Sequence, residues 1–134
     1  MTKAATISFE YFPPKTDAGR VKLLEETTPT LTRVGPAYFS VTYGAGGSTR
    51  DNTRGTVLSL NSQGQNVAPH LSFGLDDEQA IGALLDSYKE AGVNRLVALR
   101  GDLPSGTGAG ARLVYANALV QFVRAHSGAH FHIE

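Results

Sequence analysis

Residues 67–92 read VAPHLSFGLDDEQAIGALLDSYKEAG, and two different periods meet in this one stretch. Val67 to Phe73 has the length and the β-branched and aromatic content of a strand. From Asp77 to Ala91 the period changes: Ile81, Leu84, Leu85 and Tyr88 fall at i, i+3, i+4 and i+7, one face of a helix, and Gly92 follows as its stop. A strand passing through a short connection into a helix is one βα unit.

The unit recurs on both sides. Thr6 to Phe12 reads as a strand, followed by a helix over Ala18 to Val34 with Leu23, Leu24, Thr27 and Leu31 on one stripe and Pro29 interrupting it. Strand Tyr38 to Tyr43 leads into helix Arg50 to Ser62, and strand Arg95 to Leu99 into helix Leu113 to His126. A last strand runs from His130 to Ile133, its HFH placing alternate residues on opposite faces. Regular alternation of this kind predicts an α/β fold of parallel strands joined by right-handed crossovers, either an open doubly wound sheet or a (β/α)8 TIM barrel. The placement of Glu10, Thr42, His70 and Asp102 at or just past the ends of successive strands favours the barrel, whose strand ends converge on one mouth.

A barrel of this kind takes about 250 residues. The chain has 134, and its four βα units plus a fifth strand describe an incomplete barrel, truncated rather than whole. No linker or low-complexity tract divides it, so residues 1–134 are expected to form a single domain without a second one; residues 105–111, SGTGAGA, read as a βα loop. With 41% hydrophobic and 18% charged residues the chain falls in the globular class rather than the disordered one. Twelve basic residues balance twelve acidic ones, which argues against nucleic acid or an acidic membrane as partner. The absence of cysteine excludes thiolate catalysis, and the lack of an apolar leader or long apolar stretch makes the cytoplasm the expected compartment.

Four places in the chain carry chemistry. In SFEYFPP, residues 8–14, Glu10 is an ionisable group within an apolar strand, where desolvation would favour its neutral form and suit it to donating a proton; pairing with a nearby Lys or Arg is the plainer alternative. SVTYGAGGSTRDNT, residues 40–53, passes from strand to helix through three glycines that let backbone approach a flat or anionic ligand. Without a following Gly-Lys-Ser/Thr it is not a P-loop, and a turn ending in a Ser48–Asp51 capping box explains its glycines nearly as well. His70, after Pro69, reads first as a core histidine, and no second ligand stands at metal spacing to it, so no metal is expected. LVALRGD, residues 96–102, sets Arg100 and Asp102 just past a strand, facing either a ligand or each other.

Taken in order, SFEYFPPKT, SVTYGAGGSTR, Pro69-His70-Leu71 and LVALRGD resemble the N-terminal half of methylenetetrahydrofolate reductases, over Ser8 to about Phe122. The resemblance implies a barrel with FAD at its mouth. It implies hydride transfer from NADH or NADPH to flavin and then to 5,10-methylenetetrahydrofolate, giving 5-methyltetrahydrofolate for methionine supply. It makes Glu10 the acid that opens the methylene bridge of the folate substrate. Asp102 becomes the second catalytic carboxylate, beside flavin and pterin. Thr42 then lies near nicotinamide and flavin, while Tyr43, Ala45, His70, Arg100, Gly101, Asp102, Tyr115 and Ala116 correspond to cofactor contacts. A homo-oligomer is expected at full length. Leu103 departs from the family pattern, which has proline there. Two other readings stand beside this one: a non-catalytic half-barrel that needs a complementing half, and a flavin-free barrel enzyme using the same two carboxylates.

Overall fold

The computed structural model describes residues 3–43, 47–73, 77–101 and 115–134, with backbone alone for 47–49. Strand β1 (Ser8–Tyr11) is followed by one helical run built of α1 (Asp17–Lys22), a π turn (Leu23–Thr27) and α2 (Thr28–Thr32). Then come β2 (Tyr38–Val41), α3 (Gly47–Ser62), β3 (Val67–Leu71), α4 (Glu78–Glu90), β4 (Arg95–Ala98), α5 (Ala116–Ser127) and β5 (His132–Ile133). Every element expected from the sequence is present, each strand shorter by one to three residues. Ala45, Asp102, Leu103 and the 105–111 loop lie outside the described residues. The helix expected from Leu113 is described from Ala116, and α3 begins at Gly47 rather than Arg50, so Ser48 stands in its first turn and not at its cap.

All strand pairs are parallel and the sheet order is β1-β2-β3-β4-β5. Doubly wound sheets reverse their order at a switch point and cover both faces with helices. Here the order runs one way, and the buried residues Tyr11, Phe39, Val41, Val67, Leu71 and Leu96 all belong to one sheet face, against Val57, Leu60, Ile81, Leu85, Leu119 and Val123 of the helices. That is the winding of a barrel, and the fold is five consecutive strands of one.

Pro29 does not break the first helix as its position suggests. A proline inside a helix lacks an N–H and crowds the carbonyl four residues back. The widened turn before it, in which the Thr28 amide donates to the Leu23 carbonyl, absorbs the misfit with one extra residue. The inward stripe is thereby offset: Thr28, not Thr27, is buried, and its Oγ1 meets the Tyr11 hydroxyl at 2.9 Å. Helix α4 follows its pattern closely, with Ile81, Leu84, Leu85 and Tyr88 buried and the Asp77 carboxylate accepting from the Ala80 amide at 2.7 Å. Gly92 takes φ +87°, as its role as helix stop requires. No helix among the described residues is long and apolar enough to cross a membrane.

Candidate functional site

Side chains alternate along a strand, and register partners in a parallel sheet share a face. Glu10 pairs with Ser40, Ser40 with Ala68, and His70 with Val97, so Glu10, Ser40, Ala68, His70 and Val97 all lie on the face away from the helices. Glu10 and His70 sit near the C-terminal ends of β1 and β3, with Thr42 directly after β2 and Arg100 and Gly101 after β4. The convergence of these positions on one rim is therefore real for every one of them that the structure describes.

Glu10 and His70 meet. His70 Nε2 lies 3.1 Å from Glu10 Oε1, although β2 runs between their strands. Two strand spacings are about 10 Å, so both side chains must lean over the intervening strand. Ser40, level with Glu10 on β2 and small enough to be passed over, leaves that space. The His70 side chain is 9% exposed and that of Glu10 54%. Glu10 is thus not the desolvated carboxylate its apolar strand suggested; half of it faces solvent because it points away from the core. Nor is its described partner a Lys or Arg. Burial holds the His70 imidazole below the ordinary histidine range, and the Glu10 charge opposes that effect only in part. A neutral His70 donating from Nε2 to the carboxylate is the arrangement consistent with both.

The β2 rim is fixed from behind. The Thr42 amide donates to the Tyr11 carbonyl at 2.9 Å, and its own carbonyl accepts from the Thr53 hydroxyl of α3 at 2.7 Å. Tyr43 packs half-buried against the core. Around β4, Gly101 has φ +74°, and a Cβ there would fall 2.8 Å from Ser72 Oγ and 2.9 Å from Ser72 Cβ. Only glycine lets the chain turn so close to the end of β3. The next described residue beyond Gly101 is Tyr115, the N-cap of α5, 56% exposed, and the Arg100 guanidinium stands 5.1 Å from the centre of its ring. Arg100, Tyr115 and the adjoining Ala116 are thus gathered at the same corner.

Ser40, Thr53 and Ser72 were not singled out from the sequence. Period-2 alternation from Thr42 and His70 places Ser40 and Ser72 on the site face, a signal that was present. Nothing local marks Thr53. At the opposite end of the same face, Arg95 lies over the Tyr38 ring at 4.8 Å and pairs with Glu134, to which His132 Nε2 also comes within 3.2 Å. Of the HFH run, His130 precedes the strand and binds the Val93 carbonyl through Nε2 at 3.0 Å. No group of three or more metal-binding side chains occurs among the described residues.

The family model for methylenetetrahydrofolate reductase matches residues 1–134. The chain belongs to the methylenetetrahydrofolate reductase family. It is 34% identical over 119 residues to the 5,10-methylenetetrahydrofolate reductase of Escherichia coli (strain K12), covering 88% of this chain and 39% of that protein. The corresponding reductase of Pectobacterium carotovorum is 35% identical over 103 residues, 76% of this chain and 34% of its own length. Methylenetetrahydrofolate reductase (NADH) 1 of Zea mays is 36% identical over 135 residues, 94% of this chain and 22% of its own length. The chain therefore spans between about a fifth and two fifths of these methylenetetrahydrofolate reductases.

Proposed function

We propose that this chain supplies the Glu10 side of the site of a flavin-dependent methylenetetrahydrofolate reductase, reducing 5,10-methylenetetrahydrofolate to 5-methyltetrahydrofolate with NADH or NADPH as hydride donor. The observation that carries the reading is the meeting of Glu10 and His70 at the strand ends of a barrel-type sheet, in a chain of this family. A half-exposed carboxyl group is accessible to a substrate nitrogen in a way that a buried one is not.

The residues present fit FAD. A turn at Gly101 too close for any Cβ, an exposed aromatic ring at Tyr115 and a guanidinium at Arg100 suit a ligand that is flat at one end and anionic at the other. When bound, the flavin supplies the hydride chemistry. Thr42, Tyr43, Ala45, His70, Arg100, Gly101, Asp102, Tyr115 and Ala116 are the residues we assign to holding it. Glu10 gives its proton to the folate nitrogen whose bond to the bridging methylene breaks; that nitrogen keeps the electron pair, and a carboxylate remains on Glu10. Asp102 serves as the second carboxylate, favouring positive charge on the opened folate. NADH as donor agrees with the name of the maize relative.

In the full-length protein, Glu10→Gln is expected to lower folate reduction by about 10²–10⁴-fold, the usual worth of a positioned acid. Flavin reduction by NADH, followed anaerobically by loss of yellow absorbance, stays near wild type. Equal loss of both half-reactions would sink the role given to Glu10.

A second reading is favoured by exposed positions on the sheet face away from the helices: the chain is a half-barrel that binds flavin or folate only alongside a complementing half. Ser8, Glu10, Phe12 and Leu99 stand exposed on or beside that face, whereas parallel sheets are ordinarily covered on both sides.

A further inference from the structure

The acid proposed above has a partner, His70, to which that reading gives no part in the proton transfer itself. A cofactor contact at His70 would need neither the imidazole's distance to Glu10 nor its burial. Yet His70 Nε2 is aimed at Glu10 Oε1 across the width of β2, at 3.1 Å. The contact skips a strand, crosses β2 between the levels of Ser40 and Thr42, and joins a buried ring to a half-exposed side chain. Such an asymmetry has a direction: the ring cannot follow the carboxylate, so the carboxylate is held by the ring.

We propose that His70 is the positioning residue of Glu10, its Nε2–H fixing the carboxyl group over Ser40 and stabilising the carboxylate that Glu10 becomes once its proton has left. This inference rests on the reading of Glu10 as the acid. When the proton passes to the folate nitrogen, negative charge develops on the Glu10 oxygens. An N–H donor already in place then forms a charge-assisted hydrogen bond, which is roughly twice as strong as one between neutral groups. The interaction is therefore worth more after transfer than before, which is the condition for it to speed the step. Burial disfavours the charged imidazole, so the donor is taken as the Nε2–H of the neutral ring. Among the described residues, the neighbouring strands bring no other charge to this level: the side chains beside His70 on the same face are Ser40 and Thr42 of β2 and Val97 of β4.

The test uses this chain with histidine ring carbons labelled, without flavin or folate. Its four histidines give four ring signals, and the one lost in His70→Gln is that of His70. As pH is lowered, the His70 signal of the wild type is expected to change at a lower pH than an ordinary histidine. In Glu10→Gln the change moves lower still, because the charge that favoured protonation has gone. Glu134→Gln, which removes the carboxylate paired with His132 instead, leaves the His70 midpoint in place.

Positioning is read separately, from the Glu10 side-chain methylene protons. The two γ-methylene protons should be resolved from each other in the wild type and in His70→Gln, which keeps an N–H donor, and averaged toward one signal in His70→Leu, which keeps bulk alone. An unmoved His70 midpoint in Glu10→Gln, or identical methylene signals in all three proteins, overturns the proposal. A full-length protein that fails to reduce folate would overturn the reductase reading while leaving these titrations as they are, so the two failures are distinguishable.

Discussion

A backbone turn with φ +74° is costly for any residue but glycine, and at Gly101 the Ser72 side chain adds a second obstacle. The two act on the same substitution. Gly101→Ala must move the end of β4 away from β3 or strain the turn, and is expected to destabilise the chain by about 1–3 kcal/mol. Urea unfolding followed by far-UV circular dichroism reads this directly. A loss below about 0.5 kcal/mol would mean that the turn relaxes freely and that Gly101 sets no shape at the rim. At the same scale, Glu10 illustrates what could be read in advance. An acidic residue in an apolar strand is visible in any sequence, and the strand end where it lies follows from the period. Its partner was not visible, because a contact from β1 to β3 needs the register of both pairs and the size of Ser40 between them.

The first helical run shows the same division at the level of an element. Its existence follows from the spacing of Leu23, Leu24 and Leu31, but the π turn that lets Pro29 stay inside it has no local signature beyond the proline itself. The consequence is a one-residue offset that hands the buried position to Thr28, where it bonds the Tyr11 hydroxyl of β1. Thr28→Val keeps shape and removes the partner, leaving that hydroxyl unsatisfied among apolar groups. A cost of about 1–3 kcal/mol is expected. Thr27→Val, at a partly buried position without the Tyr11 bond, should fall within about 0.5 kcal/mol. Comparing the thermal unfolding of the two variants decides whether the offset exists, since an unbroken α-helix would reverse their order. The α4 helix, whose cap at Asp77 and stripe through Tyr88 were both readable, marks the opposite case, in which local propensity and tertiary packing agree.

At the scale of the whole molecule, the exposed apolar residues Phe12 and Leu99 on the sheet face away from the helices bear on behaviour in solution. The chain alone, run on size exclusion at increasing concentration, is expected to shift toward larger species under the half-barrel reading. It should then retain little flavin absorbance when mixed with FAD. A stable monomer with stoichiometric FAD would overturn that reading and leave a self-sufficient site. The parallel α/β architecture was open to sequence reasoning because two periods alternate so regularly, whereas the preference for a barrel came from the placement of Glu10, Thr42, His70 and Asp102 at strand ends. Whether the face opposite the helices is covered was not, since the same alternation of buried and exposed positions serves a sheet with either neighbour.

The strand order β1-β2-β3-β4-β5 is also the order in which the strands are made. Each strand that leaves the ribosome therefore follows the strand it pairs with, and no pairing has to wait for a later segment. Glu10 of β1 and His70 of β3 have both been made before β4, α5 and the rim they contribute.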